Sequence, residues 1–203
     1  MARTKSSRLS ARDRILAAAS DLFYQEGVQS VGIDRIIAES GVAKMSLYNH
    51  FKSKDALIAA WLQQQYENWH HWLQATVERL AATPGNLEGS VADRRLLAIF
   101  DALKEWFEQS DFRGCPFINS VVELVDSEHP GYQMSLQHQQ TTFDYILSLV
   151  QAADLPNPES LTQQLVILVN GATVVAMMQH NSAAAMQAKQ AAAALIANGR
   201  HTS

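Results

Sequence analysis

Between Gly41 and Leu57 the chain reads GVAKMSLYNHFKSKDAL. Lys44, Met45, Ser46, Tyr48, Asn49, His50, Lys52 and Lys54 crowd ammonium, thioether, hydroxyl, phenol, amide and imidazole groups together, with only Leu47 and Phe51 as apolar anchors. That combination suits nucleic acid. Lysine neutralises phosphate, Asn bonds adenine through two hydrogen bonds, and Met or the Ser side chain can touch a thymine methyl. On a helix turning about 100° per residue, Leu47 and Phe51 share one side. Met45, Asn49 and Lys52 lie nearly opposite, with Lys44 and Tyr48 on one flank and Ser46 and His50 on the other. A helix facing only water has no need of Met and Tyr there; a helix in a major groove does.

Such a face must be held by helices behind it. The periodicity predicts a first helix after Ser10, with Ile15, Ala19, Leu22 and Phe23 inward and Gly27 at its end. A second runs from about Ile33 to Ser40, with Ile33, Ile36 and Ile37 inward, and Gly41 breaks it. A third follows, roughly Lys44 to Phe51. Two short helices about a tight Gly turn form a helix-turn-helix. Ser53 caps a long fourth helix ending near Thr83-Pro84-Gly85. Further helices are expected at about Val91 to Gln109, from Cys115-Pro116, at about Gly131 to Ala152, within NPESLTQQLVILVNGATVVAMMQH, and within the alanine-rich SAAAMQAKQAAAALIAN. No sustained alternating run or Asn-Gly hairpin signal occurs. The expected fold is all-α, about nine helices.

The net charge of -4 conceals an asymmetry. Residues Met1 to Asp55 hold nine Lys/Arg against six Asp/Glu, and the remainder seven against fourteen. Arg3, Lys5, Arg8, Arg12 and Arg14 crowd the first fourteen positions, a basic head that suits a polyanion. No apolar run reaches the ~20 residues of a membrane span, and the basic N-terminus lacks the apolar stretch of a signal peptide. The expectation is a cytoplasmic protein with no membrane partner. One cysteine, Cys115, allows no internal disulfide. The histidines show no metal-ligand spacing, and no HExxH, GxSxG or glycine-rich phosphate loop occurs. Neither a metal, a cofactor nor an enzyme activity is expected.

The stretch RILAAASDLFYQEGVQSVGIDRIIAESGVAKMSLYNHFKSKDALIAAWL resembles the TetR-type family of bacterial transcriptional repressors. The likeness rests on the order Phe23, Gly27, Ile36, Gly41-Val42, Lys44, Leu47-Tyr48, His50-Phe51 and Ser53-Lys54. FRGCPFINSVVELVDSEHPGY also looks like one branch of that family. The resemblance implies a three-helix DNA-binding domain, here residues 1–53 with the basic arm, and a helical effector-binding and dimerisation domain, residues 54–203. It implies that Lys44, Tyr48 and His50 meet DNA and that Lys54 holds a phosphate. Two positions depart from the pattern. Ala43 stands where many members carry a capping Ser or Thr, and Gly32 where a hydroxyl often touches phosphate; Ser30 offers the nearest substitute.

In the larger part, Trp61, Tyr66, Trp69, Phe100, Phe107, Phe117, Val121 and Tyr145 suggest a cleft for a small apolar or aromatic effector, oriented by Asn119 and His138. Each also reads as plain core. The resemblance implies that the last two helices form a four-helix bundle with a second copy, with Leu168, Gly171, Ala172, Val175 and Ala176 at the interface. Two-fold symmetry matches a palindromic operator. The resulting reading is a ligand-responsive repressor. Its rivals are a redox- or electrophile-sensing regulator working through Cys115, which lies near a helix N-terminus and Arg113, and a DNA-binding protein without a ligand.

Overall fold

The computed structural model describes residues 9–83 and 90–201. Arg3, Lys5 and Arg8 of the basic arm, and Pro84 and Gly85 at the expected end of the fourth helix, lie outside them. The described residues form nine helices and no strand: α1 (Ala11–Glu26), α2 (Ile33–Ser40), α3 (Lys44–His50), α4 (Lys54–Ala82), α5 (Val91–Phe107), α6 (Pro116–Glu123), α7 (Pro130–Ala152), α8 (Pro158–Gln179) and α9 (Ala183–His201). The all-helical expectation is met.

Local chemistry sets most boundaries. The Ser10 hydroxyl accepts the Asp13 N–H at 3.1 Å and opens α1. Asp13 takes the Ser10 hydroxyl at 2.7 Å, whereas the full reciprocal capping box forms at Ser90, where Asp93 also accepts the Ser90 N–H at 3.2 Å. Gly41 ends α2 in the left-handed region, φ 61°, which glycine adopts without steric cost. Ser53 caps α4 by accepting the Ala56 N–H at 3.1 Å.

The chain packs as two units. The first holds residues 1–65 and 116–135, the second 66–115 and 136–203. In the first, α1, α2 and α3 each touch the other two. Ile15, Leu16, Ala19, Leu22, Phe23, Ile36, Leu47 and Phe51 are buried there, while Ile33 and Ile37 are only half-buried. In the second, α5, α8 and α9 pack pairwise on one another. Their contact is rich in alanine: Ala98 and Ala102 on α5, Ala172 and Ala176 on α8, and Ala184, Ala185, Ala188 and Ala192 on α9 are all buried. Lys189 on α9 donates to both carboxylate oxygens of Asp101 on α5 at 2.7 Å, and Arg200 pairs with Asp93 at 2.5 Å.

Two expectations change here. Ala172 and Ala176, at 5% and 1% exposure, are closed off inside their own chain and do not face outward. Their small size lets α8 approach neighbouring helices of the same unit. The exposed side of α8 carries instead Ile167 (69%), Gly171 and Met178 (72%). Second, α8 is by length and composition apolar enough to cross a membrane, which the interrupted apolar run in the sequence did not suggest. Its apolar residues Leu161, Leu165, Val166 and Val169 belong to the core of this unit.

Replacing Ala192 with Leu forces extra volume into that closed face and is expected to lower unfolding stability by about 1–3 kcal/mol. By contrast, a Cβ on Gly171 would meet nothing within 4 Å. In the undocked single chain, Gly171→Ala should raise stability by roughly 0.5–1 kcal/mol, as expected for an exposed helix-interior glycine. Denaturant titration of both variants checks the pair.

Candidate nucleic-acid interface

Helix α3 has seven residues and no side-chain cap, since Ala43 offers none. A helix this short does not hold its shape alone in water. Its anchor is Leu47, fully buried, followed by Phe51, whose ring lies 5.5 Å from the Arg12 guanidinium. Arg12, one of the basic residues near the N-terminus, thus also braces the end of this helix. With Leu47 inward, the opposite side faces out. Met45 is 73% exposed, and Lys44, Tyr48, Asn49, His50 and Lys52 are exposed, with Ser46 half-buried.

The cations differ in their commitments. Lys44 donates to Asp34 on α2 at 3.1 Å, and this hydrogen bond and charge raise its pKa. Lys54 is half-buried at the first position of α4 and donates to the Gln29 carbonyl at 3.2 Å. Burial lowers its pKa, against the opposing charges of Asp55 and Glu123. Ser30 is exposed on the loop before α2, whose N-cap, Gly32, supplies no side-chain bond.

The ten effector candidates divide between the two units. Trp61, Phe117, Asn119 and Val121 fall in the first; Tyr66, Trp69, Phe100, Phe107, His138 and Tyr145 fall in the second. Trp61 is buried against Phe23 with ring centroids 5.4 Å apart, and its Nε1–H donates to Ser20 Oγ at 3.2 Å. It is a core residue joining α4 to α1. Phe100, Phe107 and Phe117 are likewise buried, and Asn119 and Val121 are half-buried. Trp69 packs tilted against Trp106 and Trp72, with ring centroids 4.3 Å and 5.0 Å away.

A second grouping went unread in the sequence. His70 packs edge-on to Tyr66 at 4.6 Å and lies 5.2 Å from the His138 ring, while the Tyr66 hydroxyl is 3.1 Å from Thr141 Oγ1. Spacing alone does not say which of two adjacent histidines turns inward: His70 is buried and His71 exposed. Neither ring nitrogen of His70 has a hydrogen-bond partner among the described residues. Burial lowers its pKa; burial and then the His70 ring push that of His138 down to about 3. Tyr145, pushed up to about 12 mainly by burial, stays a neutral phenol.

Cys115 is half-buried, in no disulfide, and lies immediately before α6. Among the described residues no cluster of three or more His, Cys, Asp or Glu side chains could hold a metal ion.

The imidazoles generate a pH prediction. A folded-state pKa below the ordinary 6.5 means that the unfolded chain binds the proton more readily. Stability should therefore fall as pH drops below about 6.5, by up to ~1.4 kcal/mol per pH unit for each such histidine. Denaturant midpoints of the parent and His138→Gln between pH 7 and 4 should show a shallower decline in the variant.

Residues 15–61 match the family described as "Bacterial regulatory proteins, tetR family". Over nearly its whole length the fold is similar to that of SCO4454, a TetR-family transcriptional regulator from Streptomyces coelicolor. The two are 30% identical, with 93% of this chain and 95% of that one covered and a TM-score of 0.81. Among curated relatives, the HTH-type transcriptional regulator YjdC of Escherichia coli K12 is 22% identical over 163 residues, 79% of this chain and 80% of its own. The HTH-type transcriptional repressor NemR of the same strain is 27% identical over 115 residues, 57% of this chain and 54% of its own.

Proposed function

The chain belongs to the TetR family of helix-turn-helix transcriptional regulators, and from that premise we propose that it is a repressor which binds a palindromic operator as a homodimer and releases it when a small molecule binds. The observation that carries the DNA side is the outward face of α3, where Lys44, Met45 and Asn49 are exposed, with the exposed Lys52 two residues past the helix. In this reading residues 1–53 with the basic arm form the DNA-binding domain, and 54–203 the effector and dimerisation domain. Asn49, Met45 and Tyr48 read base edges; Lys44, Lys52, Lys54, Ser30, Ser46 and His50 take the backbone. Lys44 gives up Asp34 to do so, a solvent-exposed pair and therefore a weak one. The repressing sign is supported by the name of the relative NemR.

A second copy docks on the exposed side of α8, where Gly171, Leu168 and Val175 are joined by Ile167 and Met178. Two copies place their α3 helices one DNA turn, about 34–36 Å, apart. The effector is small, neutral and largely apolar or aromatic. The imidazoles of His70 and His138, kept uncharged by burial, together with Tyr66 and Thr141 give it hydrogen-bonding partners. A binding-competent shape that differs from the DNA-bound one supplies the switch. The protein works in the cytoplasm, where the chromosome is.

Selection of duplexes from a random pool by the intact protein, followed by sizing of the complex, tests the reading. Two-fold symmetric sequences bound by two chains are expected; asymmetric sites bound by one chain would overturn the dimeric operator. On the selected duplex, Asn49→Ala should relax preference at one position per half-site by ~1–3 kcal/mol. Lys52→Ala should weaken binding to all sequences alike and reduce the salt slope by about 1. Even loss across all sequences in Asn49→Ala would move that residue to the backbone contacts.

A further inference from the structure

The loop between α1 and α2 is poorly fixed by its own sequence. Gly27 ends α1 at φ 89°, Gly32 gives α2 no side-chain cap, and the exposed Gln29 and Ser30 lie between. Its order comes from 94 residues away. Glu123, the last residue of α6, accepts the Gln29 N–H through Oε2 at 2.8 Å. Its carboxylate lies against the bare Cα of Gly27: a Cβ there would stand 2.7 Å and 2.8 Å from the two oxygens. The same peptide stretch is also held by Lys54, whose ammonium donates to the Gln29 carbonyl at 3.2 Å.

The segment after α6 is fastened to the start of α4 within the same unit. His129 Nδ1 accepts the Gly131 N–H at 2.9 Å, which leaves its Nε2, 3.2 Å from Asp55 Oδ1, to carry the proton and donate. Gly131 is closely packed: a Cβ would lie 2.9 Å from Leu124 Cδ1 and 3.0 Å from Ile58 Cγ2. Glu123 is therefore not a mobile surface carboxylate that happens to touch the loop. The chain on its C-terminal side is secured at two further points.

We propose that Glu123 is a positioning residue for DNA binding, its carboxylate fixing the Gln29 peptide and with it Ser30, the start of α2 and the ammonium of Lys54. A carboxylate on a backbone N–H is a charge-assisted bond, stronger than a neutral one, and can set a loop that has no cap of its own. Without it the loop must be ordered when DNA arrives, and affinity falls by that cost. The inference rests on the DNA-binding reading and is independent of any effector.

The test uses the full-length protein and a duplex selected by it. Glu123→Ala is expected to weaken that duplex by about ten-fold, the scale of re-ordering one loop on binding. Glu123→Gln, which keeps an acceptor for the Gln29 N–H, should recover most of the loss. Hydrogen exchange of the Gln29 amide should quicken in the Ala variant and not in the Gln variant, while amides inside α1 keep their protection. Gly27→Ala should displace the same carboxylate, so that adding Glu123→Ala to it costs little more. Wild-type affinity in Glu123→Ala with a fast-exchanging Gln29 amide would overturn the proposal. So would a loss that Gln does not rescue, accompanied by faster exchange throughout α1, since that is general destabilisation. If wild-type protein selects no duplex at all, the DNA-binding reading fails instead, and the exchange data still report the contact.

Discussion

Seven residues make too short a helix to persist alone, so what α3 offers to the outside depends on the burial of Leu47. One fully buried leucine, with Phe51 just beyond it, decides which side of the helix turns outward. Everything chemically useful on the helix is useful because it was not needed for that anchoring. The three-residue turn Gly41-Val42-Ala43 sets the approach of α3 to its neighbour, and only glycine enters the left-handed region at its first position without penalty. The remainder of the first unit supplies the apolar floor that Leu47 meets.

The boundaries of the helices were legible because they are written locally. Ser10, Gly27, Gly41, Ser53, Ser90 and Pro116 each act within one turn of themselves. The inward residues of α1 and the Leu47–Phe51 pair were legible from a 3.6-residue period. That period distinguishes inside from outside and says nothing about what lies inside. Hence Trp61 read equally as a pocket wall or as core, and only the bond from its indole to Ser20 shows how it packs. Ala172 and Ala176 read as surfaces for a second chain, although α8 spends them on neighbours in its own unit. Small residues at helical spacing signal close approach, and the identity of the approaching helix is a tertiary fact. Glu123, and the bond from Lys54 to the Gln29 carbonyl, escaped for the same reason: the groups that meet are distant in sequence.

The second unit solves a different packing problem. Alanine-lined helices bring backbones together with little side-chain entropy lost, and α9 consists largely of such residues. The apolar area per residue is correspondingly small, so the partly buried Lys189–Asp101 pair matters more for the register of α9 on α5 than for strength. Where α4 and α7 meet, the interior becomes polar, with imidazole, phenol and hydroxyl groups side by side. An unsatisfied imidazole is an expense in a core made only for stability. Its presence is the main physical reason to look there for a function other than packing.

The first unit is assembled from two stretches of chain, residues 1–65 and 116–135. On the ribosome those stretches emerge well apart in time. The helix-turn-helix can collapse around Leu47 early, while its α1–α2 loop waits for Glu123 to be synthesised and to clear the exit tunnel. A nascent or prematurely terminated chain would thus present a recognition helix on a loop without its tether. On the proposed role of Glu123, completion of the DNA-binding surface is coupled to synthesis of much of the body, so truncated products would compete poorly with finished protein for the same DNA.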